Sequence, residues 1–426
     1  MSGDTIFALS SGSPPAAIAV IRVSGALAHC AGEALAGSLP PPRRAAVREL
    51  RDPRGALLDE ALVLRFDGPA SSTGEDSVEL HCHGGRAVVA AVLGALGAID
   101  GLRQAEPGEF TRRAFQNGRI DLTEAEGLAD LIEAETESQR RSALMMAEGG
   151  LSRQIGRWQA RLLELSARAE AAIDYIDDDS IDTDPSLSGD CGELANELAD
   201  WLGRPRAQPL RDGVRVVIAG PPNAGKSSLL NAIAGYERAI VTDRPGTTRD
   251  HIEVPLALGG IPCRLTDTAG LRESGDMVER IGVDRAHALV ELADVLVWLG
   301  ESRDAPRHPR RVPVHARADL PGRGAAPEGS VAVSSATGAG LVELTARIVH
   351  LARSVLPSEG EIALNERQAG CLESARAALQ SAAGPSELVI AAESLRQARA
   401  AFDRLTGRAG VEDLLDALFG RFCLGK

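Results

Sequence analysis

Short runs of alternating or continuous apolar residues dominate the first quarter of the chain. Residues 18–23 (Ile-Ala-Val-Ile-Arg-Val), 61–66 (Ala-Leu-Val-Leu-Arg-Phe) and 78–81 (Val-Glu-Leu-His) have the composition of strands, and residues 85–97 have that of a helix lying on them. Proline and glycine punctuate the gaps, so residues 1–118 are expected to form a mixed α/β unit. The period then changes. From 119 to 208, Leu128, Leu131, Ile132, Ile155, Trp158, Leu162, Leu165, Ile173 and Ile176 recur mostly at three- and four-residue spacing, which predicts long helices with a bundle core. The acidic stretch 177–184 is a solvated break among them. Residues 209–355 alternate strand and helix, the order of a doubly wound domain. The helical stripe returns over 356–426 through Leu364, Leu372, Ala375, Leu379, Leu395, Phe402, Leu405 and Leu414. One helical domain made from both stretches, with the α/β domain inserted, is the economical arrangement, because insertion is tolerated where chain ends lie close. The expected fold class is therefore α/β plus α.

At 426 residues and 44% hydrophobic content the chain is long enough for roughly two to four packed domains. No apolar run reaches the roughly 18 residues that span a bilayer, and the N-terminal stretch lacks the pattern of a secretory signal. Six cysteines are scattered without a Cys-x-x-Cys pair, which argues against a disulfide framework and a four-cysteine zinc site. These features point to a cytoplasmic protein with reduced thiols and no membrane segment. A formal net charge of −14 excludes a surface that attracts nucleic acid everywhere, so any RNA contact has to be local. Basic clusters stand at Arg43-Arg44, Arg112-Arg113, Arg140-Arg141 and residues 307–311, each of which taken alone suits a solvated surface.

Charge also singles out two positions. Of the 46 basic residues only Lys226 and Lys426 are lysine, so these are sites where a slim ammonium cannot give way to a guanidinium fork. Lys226 lies in Gly220-Pro-Pro-Asn-Ala-Gly-Lys-Ser227, the phosphate-binding loop pattern. There the backbone N–H groups of Asn223, Ala224, Gly225, Lys226, Ser227 and Ser228 would wrap phosphates, the lysine would reach the terminal ones, and the Ser227 hydroxyl would bind Mg²⁺. The strand-like 215–219 before it and the helical 228–233 after it place the anion on a helix N-terminus.

The elements that follow choose among nucleotide enzymes. Asp267-Thr268-Ala269-Gly270 comes after a strand-like segment; an aspartate at a strand end holds Mg²⁺ and the glycine N–H can sense a γ-phosphate. Between them lies Thr242-Asp243-Arg244-Pro245-Gly246-Thr247-Thr248, with Thr248 placed as a second hydroxyl on Mg²⁺. The three elements in this order match translation-factor-type GTPases. Leu271 follows Gly270, so the glutamine that orients water in Ras-like proteins is absent; Glu273, Asp276 and Glu279 are the carboxylate candidates for that task.

Beyond these motifs, the strings spanning residues 66–85, residues 107–118 (Pro-Gly-Glu-Phe-Thr-Arg-Arg-Ala-Phe-Gln-Asn-Gly) and residues 422–426 (Phe-Cys-Leu-Gly-Lys) resemble the MnmE (TrmE) family of GTPases, nearly end to end. The resemblance implies a GTPase acting in modification of carbon five of the tRNA wobble uridine, adding an aminomethyl or carboxymethylaminomethyl group. It also implies domains at 1–118 (folate binding and dimerisation), 119–208 and 356–426 (helical), and 209–355 (P-loop GTPase). It implies a homodimer that joins a flavin-dependent MnmG-type subunit in a heterotetramer, with tRNA as the object. The cofactors implied are GTP, Mg²⁺, K⁺ and a reduced folate, formyl- or methylene-tetrahydrofolate.

Carried over by position, the folate site falls on Arg22, Glu79, Arg119 and Lys426: cations suit the glutamate tail's carboxylates and Glu79 suits the pterin's N–H edge. The resemblance selects Glu279 as the water-orienting residue. It assigns K⁺ to the Asn223 side chain with Thr242, Arg244 and Thr247, where a monovalent cation supplies the charge of an arginine finger. It marks Cys423 as a candidate reactive thiol. A GTP-dependent RNA or ribosome assembly switch without modification chemistry is the alternative, disfavoured because the chain ends in a helical region with no appended basic domain.

The chain departs from the family in four places. The guanine motif reads Ala316-Arg317-Ala-Asp319, so Asp319 remains while the asparagine is lost; a missing hydrogen bond of about 1 to 3 kcal/mol implies roughly ten-fold weaker guanine binding or more. Ser334-Ser335-Ala336 is a slightly altered final GTPase motif, and Ser72 replaces an aromatic. Thirteen residues, 299–311, separate two strands and hold Gly300, Pro306 and Pro309, which leaves no room for the family's helical connection. His81-Cys82-His83 is read as structural, because successive strand residues face opposite ways.

Overall fold

The computed structural model describes the chain except residues 1–3, 175–185, 237–252, 269–287, 385–386, 410–411, 421, 423–424 and 426. It divides into two compact units, Met1–Ala129 with Thr406–Lys426, and Asp130–Leu405.

The first unit is built on a six-stranded sheet of β1 (Thr5–Leu9), β2 (Ile18–Ser24), β3 (Ala45–Arg51), β4 (Leu57–Phe66), β5 (Ser77–His83) and β6 (Leu102–Gln104). The strand order is β3-β4-β5-β2-β1-β6. Alternation sorts its faces. Ile21, Val23, Val63, Val78, Leu80 and Cys82 point to one side and form a core with the helices α1 (Ala28–Ala36) and α2 (Arg86–Gly97). On the other side, Phe110 of α3 (Glu109–Gln116) covers Ile6 and Ala8 at one end of the sheet. Toward β3 and β4 that side stays open, with Val47 and its cross-strand partner Leu62 exposed at 55% and 37%. None of β1, β3, β6 and α1 is expected from pattern. β3 is an edge strand carrying Arg48, Glu49 and Arg51, so it lacks an apolar stripe.

Helices α4 (Leu122–Glu133) and α13 (Glu412–Phe419) complete this unit, where Phe419 and Phe422 pack with Ala125, Ala129 and Leu128. The chain then returns to the first strand. The Ser10 hydroxyl donates to the Gly425 carbonyl at 2.7 Å. Gly425 has φ of +91°, and a Cβ there would stand 2.1 Å from the Leu9 carbonyl oxygen, so no other residue fits.

The second unit contains two cores. One is helical, drawn from α5 (Glu137–Ala147), α6 (Gly150–Asp174), α7 (Ser186–Leu202), α11 (Glu366–Ala383) and α12 (Leu388–Thr406). Ile155, Trp158, Leu162 and Leu165 of the expected stripe lie in it together with Leu364, Leu372, Leu379 and Phe402, so residues about 200 positions apart share a core. Trp158 meets Trp201 edge-on at 5.2 Å and stacks with Phe402 at 6.0 Å, while its N–H donates to Glu197 at 2.8 Å. The stripe does not continue backwards as expected. Leu128 belongs to the first unit's phenylalanine cluster and Ile132 is exposed, because the helix holding them is separate from α6.

The other core surrounds a second six-stranded sheet of β7 (Val214–Ala219), β8 (Glu253–Leu258), β9 (Ile261–Asp267), β10 (Val295–Trp298), β11 (Arg311–Ala316) and β12 (Val331–Val333), ordered β12-β11-β10-β7-β9-β8. Every pairing is parallel except β8 with β9. Short α8 (Gln208–Asp212) leads into it, and α9 (Lys226–Tyr236) and α10 (Leu341–Arg353) cover one face. Between β10 and β11 the connection holds a single 3₁₀ turn, Ser302–Asp304, in place of a helix.

Candidate functional site

β7 lies inside the parallel sheet, between β10 and β9, so its C-terminal end opens at a position flanked by neighbouring strand ends. There the chain turns through Gly220 (φ +154°), Asn223 (φ +61°) and Gly225 (φ +95°) and enters α9 at Lys226. Asparagine tolerates the left-handed region because its short side chain suits such turns, so Asn223 serves the turn whatever else it does. The first N–H groups of α9 have no intrahelical acceptor and point out of its N-terminus, where an anion is favoured. Lys226 is almost completely buried, and its ammonium donates to the carbonyls of Gly220 and Pro221, both at 3.0 Å. The Ser227 hydroxyl donates to the Asp267 carboxylate. Thr268 anchors the end of β9 by donating to the Ile218 carbonyl at 3.2 Å.

Asn223, Ala224, Gly225, Lys226, Ser227, Ser228, Asp267 and Thr268 therefore meet at one edge of the sheet. The hydroxyl of Ser227 and the carboxylate of Asp267 form a hard-oxygen donor pair of the kind that suits Mg²⁺.

The guanine-motif positions follow the ends of β11 and β12 on this same edge. Arg317 sits in the left-handed region (φ +60°), and its Nε lies 3.6 Å from where a Cβ on Gly225 would be, so its side chain leans on the phosphate loop. Ala316 is buried in the sheet's apolar core, and its carbonyl accepts from Arg323 Nε at 3.0 Å. Asp319 is exposed. The Ala318 N–H donates to the Val333 carbonyl at 3.1 Å, tying this loop to Ser334-Ser335-Ala336. Ser334 is buried, with its hydroxyl accepting from the Thr337 N–H at 3.1 Å. Arg323 lies seven residues from the carbonyl it holds, and no motif marks it in the sequence. Thr242, Asp243, Arg244, Pro245, Gly246, Thr247, Thr248, Ala269, Gly270 and Glu279 lie outside the described residues.

Arg22 and Glu79 are cross-strand partners on β2 and β5, and their charges meet at 2.9 Å. The guanidinium also stands 5.6 Å above the Phe110 ring, and Glu79 contacts His81 Nε2 at 3.3 Å. Arg119 packs its stem on Gly74, where a Cβ would be 3.1 Å from Cγ. Sequence reasoning treats the string around Gly74 only as a signature. In the structure the Ser24 hydroxyl bonds Thr73 Oγ1 at 2.7 Å and Glu75 at 2.9 Å, and Asn117 donates to the Thr73 carbonyl at 2.8 Å. Gly425 rests on Leu9 and Ser10, beside Ala8, which is the register partner of Arg22. Lys426 and Cys423 lie outside the described residues.

Cys82 faces the helix-covered core, and burial, aided by Asp59, pushes its thiol up to about 12. His81 and His83 alternate to the opposite face, where they meet Glu79 at 3.3 Å and Asp59 at 2.7 Å, so the three side chains do not converge on one point. Among the described residues no helix is long and apolar enough to cross a membrane.

Two family models cover the chain: GTP-binding protein TrmE N-terminus matches residues 5–119 and the MnmE helical domain matches residues 122–423. The tRNA modification GTPase MnmE of Erythrobacter litoralis (strain HTCC2594) is 54% identical over 425 residues, covering 99% of this chain and 100% of that protein. Its counterpart in Novosphingobium aromaticivorans is 53% identical over 435 residues, with 99% and 100% covered. That of Sphingopyxis alaskensis is 55% identical over 419 residues, with 95% and 100% covered. With both units matched and the phosphate loop formed at the end of β7, the chain belongs to the MnmE family of tRNA modification GTPases.

Proposed function

We propose that the chain hydrolyses GTP in the modification of carbon five of the tRNA wobble uridine, working as a cytoplasmic homodimer with a flavin-dependent MnmG-type partner. The observation that carries this reading is the constellation at the end of β7, where a buried Lys226 and the Ser227–Asp267 pair face a helix N-terminus, in a chain matched end to end by MnmE relatives.

Ser227 and Asp267 would hold Mg²⁺, with Thr248 as a further hydroxyl; the ion neutralises charge on the β- and γ-phosphates when bound. Lys226 would exchange its loop carbonyls for phosphate oxygens, and Asn223 with Thr242, Arg244 and Thr247 would hold K⁺. Glu279 would orient the attacking water, accepting its hydrogen bond so that the oxygen lone pair faces the γ-phosphorus. Arg317 is suited to covering the base with its stem while Asp319 accepts from the guanine N–H groups. Buried Ala316 offers no side-chain hydrogen bond, which supports a looser hold on guanine.

For the folate, Arg22 and Arg119 would bind carboxylates and Glu79 the pterin edge, with Lys426 as a further cation. A ligand there would have to share the Arg22–Glu79 pair, which fits a charged and amphoteric group such as a pterin glutamate. The exposed apolar face around Val47 and Leu62 supports dimerisation through the first unit.

Two measurements test the reading. GTP turnover is expected to be faster in K⁺ than in Na⁺, and Asn223→Ala is expected to abolish that difference while nucleotide binding persists. Mass spectrometry of wobble nucleosides from cells lacking the gene is expected to show loss of the carbon-five modification; unchanged nucleosides would refute the assignment.

A further inference from the structure

At the end of the second sheet where β7 begins, the face opposite the helix-covered core carries exposed arginines. Arg215 on β7 and Arg264 on β9 are register partners. Alternation places both on the side opposite Val214, Val216, Cys263 and Leu265, which belong to the helix-covered core. Arg311 shares that side, because its partner on β10 is Leu296, which packs with Val217 and Val290 away from the helix-covered core, and its neighbour Val312 faces that core. Neighbouring strands lie about 4.8 Å apart, so Arg215 and Arg264 stand side by side, while Arg311, level with Leu296 and Val217, continues the row only after a gap at β10, where Asp294 bonds Arg215. The connection that replaces the helix extends the row with Arg307, which is exposed, and Arg310.

Among the described residues, few carboxylates oppose this charge. Arg310 donates to the Asp294 carbonyl at 2.7 Å and Arg311 to the Pro306 carbonyl at 3.5 Å, both main-chain acceptors that leave the guanidinium charge uncompensated. The Asp294 carboxylate accepts from the Arg215 N–H at 2.9 Å. Glu253 approaches Arg264 only at 3.8 Å, and Asp304 approaches Arg303 at the same distance. Among the described residues, Arg215, Arg307, Arg310 and Arg311 have no carboxylate within ion-pair distance.

We infer that this row is an RNA-docking surface that grips phosphate groups of the tRNA, an inference that rests on the family's action on tRNA. A chain of net charge −14 repels RNA as a whole, so contact requires a local reversal of sign, and a row of arginine forks matches phosphate oxygens bidentately. The row sits at the N-terminal edge of the parallel strands, whereas the phosphate loop sits at the C-terminal edge, so RNA and nucleotide occupy opposite ends of the sheet.

The test uses the full chain, a tRNA transcript and fluorescence anisotropy between low and moderate KCl. In the combined variant Arg215→Gln, Arg264→Gln, Arg307→Gln and Arg311→Gln, binding at low salt is expected to fall at least ten-fold. The dependence of log K on log salt should become shallower by about 0.7 to 0.9 for each phosphate contact removed. Turnover of GTP should match the parent and report an intact fold. The corresponding four-lysine variant should retain most of the salt slope. Parent-like RNA affinity in the glutamine variant overturns the inference, as does an equal loss in the lysine variant. Retained RNA affinity with loss of binding to an acidic protein overturns it in favour of a protein surface. A parent chain that binds no tRNA would sink the underlying tRNA reading together with this one, an outcome distinguishable from the others before any variant is made.

Discussion

The Ser227 hydroxyl donates to the Asp267 carboxylate, joining the first turn of α9 to the end of β9 across forty residues of sequence. That bond positions the two side chains that would share a magnesium ion. Replacing Ser227 by alanine removes a hydroxyl facing a charged group, worth about 1.5 to 3 kcal/mol. GTP hydrolysis at limiting magnesium should drop roughly ten- to hundred-fold, with Ser227→Thr close to the parent. A magnesium titration of turnover decides it, and an alanine variant with the parent's titration curve would remove Ser227 from the role.

Arg22 and Glu79 pair with each other as well as being the expected folate contacts. The doubly swapped variant Arg22→Glu with Glu79→Arg keeps an ion pair in register but presents its charges in reversed positions. It should fold with near-parental stability and lose binding of a reduced folate. Folate affinity by calorimetry is the measurement; an intact affinity would mean the pair is structural alone.

Two glycines near the end of β12 make a graded comparison. Gly338 has φ of +79°, and a Cβ there would meet nothing within 4 Å, so Gly338→Ala should cost only the left-handed strain, about 1 to 2 kcal/mol. Gly340 has φ of +77°, and a Cβ there would be 1.9 Å from the Ala332 carbonyl oxygen. Gly340→Ala should therefore cost at least twice as much, which urea unfolding followed by tryptophan emission would reveal.

Acid should weaken the first unit through Glu109. Burial pushes this carboxyl up, but hydrogen bonds from Arg103, the Glu106 N–H and Arg113 outweigh it and hold it below the ordinary 4.5. A lowered folded value means the unfolded chain takes up the proton first. The stabilisation is then complete above 4.5 and disappears as pH falls through the folded value. Glu109→Gln should be less stable than the parent at neutral pH, and the gap should close in acid; circular dichroism melts at both ends of that range test it.

Sequence pattern reveals what is repetitive or chemically rare. Lys226 is conspicuous in a chain that uses arginine elsewhere, and Ile155, Trp158, Leu162 and Leu165 trace a bundle core at helical spacing. The 299–311 connection is too short and too rich in proline for a helix, and it holds one 3₁₀ turn. What stays hidden depends on distant partners. β3 is an edge strand without an apolar stripe, Leu128 and Ile155 look continuous although they serve different cores, and Arg323 gains its partner only when the loop after β11 closes. Part of the arginine surface is invisible as well, because Arg215 and Arg264 are isolated in sequence and become neighbours only through strand register.

Ser10 and Gly425 are separated by 415 positions, yet they bond in one compact unit. At roughly 5 to 20 residues per second, the first strand leaves the ribosome about 20 to 80 s before the segment that closes over it is made. During that wait the Asp130–Leu405 unit can reach its own cores, while the first unit, with all six strands made, still lacks α13 and the segment that bonds Ser10. The N-terminal unit is thus the last to mature during synthesis, and a stalled or truncated translation product would carry its phosphate loop ready but its N-terminal unit unsealed.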